Sequence, residues 1–237
     1  MRLAAAIGNR LRATYRRRDD LDRYVSAHLT TAPALRRFGS GGCAWVIPES
    51  CLAPGAVCYC CGAGEDISFD MALAREPLCE VHTFDPTPRA IEYIASLQNV
   101  LPARLYFHPW GVWARDEQVR FFAPRNPTHV SHSAVNLQKT SRFFEADCKR
   151  LGTIMGELGH DSLHLLKLDI EGAEYQVIES MLTDGIRPAV LAVEFDELHC
   201  PLDGGARSRI KRTIERLVLA GYGLVSVDGA NYTFSCR

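Results

Sequence analysis

Acidic residues follow two apolar runs that have the length and composition of buried strands. Asp169 and Glu171 come directly after the run 163–168, and Glu194 lies at the end of the run 189–195. Burying carboxylates is costly unless a cation, an arginine or a substrate hydroxyl compensates their charge. If the two strand ends are neighbours, their oxygens suit a hard divalent cation such as magnesium, or a general base for a hydroxyl nucleophile. A structural network of salt bridges is the alternative interpretation.

A glycine-containing turn lies between a predicted strand and a predicted helix. Gly62 and Gly64 allow a tight turn and a close approach of the backbone to a ligand. A dinucleotide-binding turn would have a third glycine where this chain has Ile67. The acidic pair at 65–66 also opposes a pyrophosphate and suits a cationic or hydroxyl-bearing ligand. The turn favours a ligand of that kind, with an ordinary turn and helix cap as the alternative.

Two further strand ends carry residues that suit a nucleoside. Asp85 lies about 20 residues beyond the glycine turn, where an acidic residue meets ribose hydroxyls in nucleotide-binding sheets. After the next strand, Trp110 could stack on a base and the backbone of Gly111 could bind its edge. An ordinary helix cap at Asp85 and core packing of Trp110 are the alternatives.

From residue 56 onward, strand-length apolar runs alternate with segments of helical periodicity. This alternation predicts a parallel sheet with helices on both faces. The strands are expected at 56–61, 80–84, 104–107, 163–168 and 189–195. The helices are expected at 67–75, 88–97, 148–158, 173–182 and 206–220.

Three other segments complete the prediction. Two strands at 222–227 and 232–236 form a closing hairpin around Asp228-Gly229, so one strand of the sheet must be antiparallel. Residues 113–122 are expected to form a second hairpin. Residues 123–147 are polar and irregular, long enough for a lid, and include His132.

The first 42 residues are predicted to be a separate helical extension that ends in a glycine-serine hinge, followed by one domain over 43–237. Residues 1–40 hold nine arginines, which fit a solvated helical face, an anionic partner or a homodimer contact. The whole chain has 237 residues, 47% apolar residues and a formal net charge of -1. These values indicate a globular protein and disfavour nucleic acid as a partner. Three of the nine cysteines crowd the apolar run 56–61 and the other six are scattered, which fits small buried side chains kept reduced. With the lack of a membrane-spanning run, this favours a cytoplasmic protein.

The most specific stretch is Lys167-Leu168-Asp169-Ile170-Glu171-Gly172-Ala173-Glu174, supported by Phe84-Asp85-Pro86 and by the glycine turn. Together these motifs resemble the FkbM-type methyltransferases. The resemblance implies an α/β class I methyltransferase (Rossmann-like) fold with a mostly parallel seven-stranded sheet, an antiparallel last strand and helices on both faces. It also implies S-adenosylmethionine as cofactor and O-methylation of a sugar or polyketide hydroxyl.

The resemblance also implies roles for individual residues. The cofactor would be held by Cys61, Gly62, Ala63, Gly64, Asp66, Asp85, Trp110, Gly111 and Asp169. In related macrocin-type O-methyltransferases, acidic residues at the matching strand ends hold magnesium, which here are Asp169 and Glu194, with Phe195 where the relatives have a second aspartate. The catalytic candidates are Glu171, Asp169 and His132, and two further histidines, His108 and His199, are alternatives for base or metal.

The acceptor is expected to be a small molecule or oligosaccharide that offers a hydroxyl group. A sugar or glycosylated acceptor is favoured, and a small natural product or polyketide is the alternative. An NAD-dependent oxidoreductase is disfavoured by Ile67 and by the closing hairpin. A non-catalytic nucleotide-binding module is disfavoured by the acidic strand ends, which no structural need explains.

Overall fold

The computed structural model describes residues 20–31, 34–76 and 79–236. Its centre is a seven-stranded sheet with the strand order β11-β12-β10-β9-β3-β4-β5. β12 is antiparallel to both of its neighbours, and the other pairs are parallel. This is the class I methyltransferase arrangement that the motifs predicted, with one reversed strand next to the sheet edge.

The elements are numbered in chain order. The strands are β1 Leu35–Phe38, β2 Trp45–Pro48, β3 Val57–Cys61, β4 Glu80–Phe84, β5 Leu105–His108, β6 Gly111–Val112, β7 Glu117–Phe122, β8 Phe143–Lys149, β9 Leu165–Leu168, β10 Val190–Glu194, β11 Tyr222–Asp228 and β12 Asn231–Cys236. The α-helices are α1 at 20–28, α2 Ser68–Ala74, α3 Pro88–Leu97, α4 Leu151–Leu158, α5 Glu174–Thr183 and α6 Ala206–Leu219.

Both faces of the central sheet are covered, which explains why its inner strands are apolar throughout. β9 is buried at all four positions, because side chains on both of its faces meet helices or loops. One face packs on α1, α4, α5 and α6 through a cluster that includes Ile154, Val177 and Ile214. The other face packs on α2, α3 and the β1–β2 pair through a cluster that includes Phe69 and Trp45.

A separate three-stranded sheet corrects the prediction for residues 113–149. Its order is β6-β8-β7, so β8 lies between the two strands and β7 pairs with β8 instead of forming a local hairpin. The predicted hairpin at 113–122 is therefore wrong. Residues 143–149 were expected to be irregular or helical, but Phe121 stacks on Phe144 across the β7–β8 pair, with ring centroids 5.4 Å apart. β7 and β8 are about 20 residues apart in sequence, so a pattern of neighbouring residues does not reveal their pairing.

The N-terminal part of the described chain is only partly helical. α1 is a helix as expected, whereas Leu35–Phe38 forms a strand that pairs with Trp45–Pro48 across the predicted boundary at residue 42. The arginines before residue 20 lie outside the described residues. Among the described residues, no helix combines the length and the apolar character that crossing a membrane requires.

Candidate active site

A cavity of about 360 Å³ opens at the carboxyl ends of four adjacent parallel strands, β3, β4, β5 and β9. Asp85 at the end of β4 and Asp169 at the end of β9 both line it. Loops that follow the strands of an open α/β sheet are where such folds bind ligands, and the volume is in the range of small-molecule sites. The lining is mixed, since Phe84, Val112 and Phe121 supply apolar surface and carboxylates supply charge.

The glycine turn after β3 is held close to the end of β9. Gly62 has φ of +93°, and a Cβ atom there would lie 1.8 Å from the carbonyl oxygen of Asp169. The turn therefore needs glycine at 62, for its backbone conformation and for its close approach to β9. The ammonium of Lys167 reinforces the contact by donating a 2.8 Å hydrogen bond to the carbonyl oxygen of Gly62.

Asp85 is engaged with the protein backbone. Its Oδ2 accepts hydrogen bonds from the backbone N–H groups of Ala63 and Gly64, each at 2.9 Å. Its Oδ1 accepts from the backbone N–H and the hydroxyl of Thr87 at 2.8 and 2.6 Å. A carboxylate has about four acceptor positions, so these contacts use its capacity. In this structure Asp85 holds the glycine turn, and its role toward a ribose stays a prediction.

Three carboxylates at the ends of β9 and β10 form the acidic cluster of Asp169, Glu194 and Asp196. One oxygen from each lies within 4.8 Å of the others. Burial, followed by the charges of Asp169 and Glu171, raises the pKa of Glu194 to about 8. Burial and the surrounding carboxylates also raise the pKa of Asp196 well above its ordinary value. The cluster therefore favours a proton or a cation.

One buried cation lies beside this cluster. Lys167 Nζ is 3.0 Å from Asp169 Oδ2, and the side chain is 6% exposed. Burial opposes its charge, but Asp169 and Asp70 more than offset that effect and raise the pKa of Lys167 above its ordinary value. Lys167 partly neutralises Asp169, which leaves Glu194 and Asp196 less well compensated.

Glu171 projects into the cavity from a left-handed backbone conformation, with φ of +57°. Its carbonyl oxygen accepts a 2.6 Å hydrogen bond from the hydroxyl of Ser133, which fixes this conformation from the neighbouring segment. Burial raises the pKa of the Glu171 carboxyl to about 7, although a hydrogen bond from Ser131 opposes the shift. Strained positions of this kind are found at functional sites more often than elsewhere.

The segment between β7 and β8 covers one side of the cavity. Val130, Ser131 and His132 line it, and His132 Nδ1 lies 2.9 Å from the carbonyl oxygen of Val130. Arg89 of α3 ties the segment to the glycine turn. It pairs with both carboxylate oxygens of Glu65 and donates to the carbonyl oxygens at positions 128 and 129.

The structure brings most of the predicted site residues to this cavity. Those that line it are Gly62, Ala63, Gly64, Asp66, Asp85, Gly111, His132, Asp169 and Glu171. Cys61 does not line it, since its side chain is fully buried in the core. Trp110 packs against His108 and Lys149 instead, and Glu194 reaches the site only through the acidic cluster.

Neither of the two alternative histidines lines the cavity. His108 faces His82, with 2.9 Å between their ring nitrogens, away from the acidic cluster. His199 lies 3.7 Å from Glu194 but is 67% exposed. Two residues were missed as site components: Lys167, whose place in an apolar strand was the available signal, and Asp196, which follows Glu194 by two positions.

The model of the methyltransferase FkbM domain family matches residues 61–222, which include the glycine turn, Asp85 and the acidic cluster. The chain belongs to this family. In this FkbM chain, the strand ends that meet at the cavity are those the motifs indicated.

Relatives of this FkbM chain include two mammalian proteins. The probable methyltransferase-like protein 24 of Rattus norvegicus is 30% identical over 145 residues, which is 60% of this chain and 33% of that protein. The protein of the same name from Homo sapiens is 28% identical over the same shares. The chain thus matches about one third of the length of these relatives.

Among solved structures, Aeropyrum pernix fibrillarin with natively bound S-adenosyl-L-methionine is 12% identical, with a TM-score of 0.43 over 77% of this chain and 66% of that one. A putative O-methyltransferase from Klebsiella pneumoniae is 10% identical, with a TM-score of 0.42 over 79% of this chain and 75% of that one.

The chemistry of the cavity fits the cofactor of the family. Carboxylates at Asp66, Asp169 and Glu171 suit a positively charged sulfonium and hydroxyl groups, and the apolar side chains of Phe84 and Val112 suit a flat base. No buried cation except Lys167 lines the cavity among the described residues.

Proposed function

We propose that this chain transfers a methyl group from S-adenosylmethionine to a hydroxyl oxygen of a sugar or glycosylated acceptor. The observation that carries the proposal is the shared cavity, in which the glycine turn and the carboxylates of Asp169 and Glu171 face the same space. When bound, S-adenosylmethionine supplies a methyl group on a sulfonium sulfur that leaves as a neutral thioether. The protein then has to bring an acceptor oxygen into line with the bond that breaks.

Glu171 is the residue that we assign to the acceptor proton. Its carboxylate takes the hydroxyl proton as the new oxygen–carbon bond forms, so that the acceptor leaves as a neutral ether. Its backbone is fixed by Ser133, which keeps the carboxyl group directed into the cavity. His132 also lines the cavity and is the second candidate for this step.

Asp169 and Glu194 are proposed to hold a divalent cation, for which magnesium fits the donor set. Carboxylate oxygens are the ligands that hard cations prefer, and Asp196 adds a third one within 4.8 Å. A cation there would lower the pKa of a bound hydroxyl group and orient the acceptor through its oxygens. The excess of negative charge in the acidic cluster supports this part of the proposal.

A sugar hydroxyl is favoured as acceptor because the cover of the cavity offers polar side chains beside the apolar Val130 and Ala134. Ser131 and His132 line it, and His129 is exposed nearby. Three other polar residues of the segment are less available, because Arg125, Asn126 and Asn136 make hydrogen bonds within it.

Two measurements test the proposal. Isothermal titration with S-adenosylhomocysteine and with NAD should show binding of the first and none of the second. Transfer of a radiolabelled methyl group should then be measured on matched panels of glycosides, glycopeptides and polyketides, with magnesium and with excess chelator.

The outcomes test the acceptor class, the cation and catalysis separately. We expect glycosides to become labelled in the presence of magnesium and to remain unlabelled in excess chelator. Label on polyketides alone would overturn the acceptor class, and full activity in chelator would remove the cation. Tight binding of S-adenosylhomocysteine without transfer to any member of the panels would indicate a non-catalytic module.

A further inference from the structure

A second group of ligating side chains lies on the face of the sheet that packs on α1, α4, α5 and α6, away from the cavity. It consists of Tyr59, Glu80, His82, His108 and His160, and we call it the histidine cluster. Glu80 and His82 are two residues apart on β4, so their side chains point to the same face. Tyr59 on β3 is the register partner of His82. His160 reaches this face because Gly159 ends α4 in a left-handed conformation.

Three atoms of the histidine cluster converge on one point. Glu80 Oε1 lies 2.9 Å from His82 Nε2 and 3.3 Å from His160 Nε2, and all three atoms lie within 4.8 Å of one another. Ligand atoms around a tetrahedral zinc ion are separated by about 3.3 Å, as bond lengths near 2 Å require. The pair with His160 already has that spacing, and the pair with His82 reaches it after a shift of a few tenths of an ångström.

The other nitrogen of each imidazole also has a partner. His82 Nδ1 lies 2.9 Å from His108 Nε2, and His160 Nδ1 lies 2.7 Å from the hydroxyl oxygen of Tyr59. Metal-bound histidines usually donate their second ring N–H to a neighbouring acceptor, which fixes the tautomer and the ring orientation. In the histidine cluster, the acceptors are already in place for both imidazoles.

We propose that Glu80, His82 and His160 bind a zinc ion, with a fourth position open to solvent. The side chains of His82 and His160 are only 5% and 11% exposed, so the surrounding packing restricts their rings. The side chain of Glu80 is 36% exposed, so a zinc ion can enter from solvent beside it. Two imidazoles with one carboxylate form a donor set that suits zinc better than magnesium. Glu80 begins β4 and Asp85 follows its end, so the site lies about 16 Å along the strand from the cavity.

The alternative without a metal is a hydrogen-bonded network. In that case both Nε2–H groups donate to Glu80, and Tyr59 donates to His160. The two interpretations differ in whether His160 can be replaced by an amide. Glutamine at 160 can still bond to Glu80 and Tyr59, but it cannot replace an imidazole as a zinc ligand.

The test is a zinc titration of the purified full chain against a chromophoric competitor, after chelator treatment. We expect one high-affinity zinc ion, an increase in melting temperature with zinc, and the loss of both in His82→Gln and His160→Gln. His129→Gln, which changes an exposed histidine, and Glu194→Gln, which changes the acidic cluster, should keep the high-affinity ion.

Cobalt substitution identifies the ligands without relying on a variant that folds. A cobalt-loaded chain should show the visible absorption of a tetrahedral site without the near-ultraviolet bands of a thiolate ligand. Retention of the ion in His160→Gln, a thiolate spectrum, or no zinc binding by the unchanged chain would each overturn the proposal. None of these results depends on methyl transfer.

Discussion

Lys167 Nζ lies 3.0 Å from Asp169 Oδ2 inside the protein, and the same ammonium donates to the carbonyl oxygen of Gly62. The lysine therefore connects the end of β9, the glycine turn and the acidic cluster. A buried charge needs partners of opposite sign, and the carboxylate of Asp70 also attracts the ammonium of Lys167. This arrangement makes one residue important both for stability and for the charge of the cavity.

Replacing Lys167 by methionine should be strongly destabilising. We expect Lys167→Met to lower the free energy of unfolding by about 3–5 kcal/mol, because the buried Asp70 and the partly buried Asp169 lose their cation. Lys211→Met is the matched control, since it removes an ion pair with the exposed Asp20 and should destabilise the protein much less. Urea denaturation measures both. Equal losses in the two variants would contradict the central role of Lys167.

Comparing alanine variants of Gly62 and Gly55 distinguishes the cost of a steric clash from the cost of a left-handed backbone conformation. Both have positive φ, but a Cβ atom would clash with the carbonyl oxygen of Asp169 at Gly62 and meets nothing at Gly55. We expect Gly55→Ala to cost about 1–2 kcal/mol, and Gly62→Ala to cost clearly more and to abolish binding of S-adenosylhomocysteine. Denaturation and calorimetry are the measurements. Normal cofactor binding by Gly62→Ala would show that the turn can move away from β9.

The assignment of Glu171 predicts a loss of rate without a loss of cofactor. Glu171→Gln should reduce methyl transfer by about 10²–10⁴-fold, since the amide cannot accept the proton. Binding of S-adenosylhomocysteine should change little, because the shape of the side chain is kept. His132→Gln tests the alternative base in the same assay. If only His132→Gln loses activity, the proton goes to the histidine.

Arg89 should influence the cover of the cavity more than the stability of the fold. Its side chain is about one third exposed, so its ion pair with Glu65 adds little to stability. Loss of the bonds to the carbonyl oxygens at 128 and 129 should release the segment, and we expect Arg89→Ala to weaken binding of S-adenosylhomocysteine by about tenfold, or roughly 1.4 kcal/mol. Arg120→Ala, which removes an exposed pair with Glu145, is the control. Equal affinities of the two variants for S-adenosylhomocysteine would contradict the role of Arg89 in holding the covering segment.

The pair of Glu197 and Arg209 predicts an acid-dependent loss of stability. Burial alone would raise the pKa of Glu197, but hydrogen bonds from Arg209 and from the backbone of Leu202 lower it below its ordinary value of 4.5. The stabilisation is therefore complete above pH 4.5 and is lost as pH falls through the lowered pKa.

Removing the arginine should reverse the sign of this effect. In Arg209→Met, Glu197 stays buried without a counter-charge, so its pKa should rise and stability should instead fall as pH rises above 4.5. Unfolding free energies measured from about pH 2 to pH 7 compare the two chains, since the loss in the unchanged chain falls below pH 4.5. Parallel pH profiles would show that Glu197 does not contribute as described.

The central sheet was predictable because its strands are apolar and its helices are periodic. Glu80–Phe84 and Pro88–Leu97 match the predicted bounds at both ends. β7 and β8 were not recognised as partners, because their side chains are largely exposed and thus carry no apolar run. Their pairing depends on contacts between distant segments, which periodicity does not report.

The location of the site was predictable, and the contacts within it were not. The alternation of elements predicts a parallel sheet, and the carboxyl ends of its strands share one edge, which places Asp85, Asp169 and Glu171 there. That Asp85 accepts hydrogen bonds from the turn depends on the positions of individual N–H groups, which a sequence pattern does not encode. The histidine cluster was missed for a similar reason, since Glu80 and His160 are 80 residues apart in sequence.

The position of β12 has a consequence for the order in which the protein can assemble during synthesis. β10 and β11 are not direct neighbours, because β12 fills the place between them and bonds to both. A ribosome delivers residues 231–236 after both of these strands, so β10 emerges with one open edge. That edge exposes unpaired backbone groups to other nascent chains until translation has passed residue 236, and slow elongation near that point would prolong the risk of misassembly.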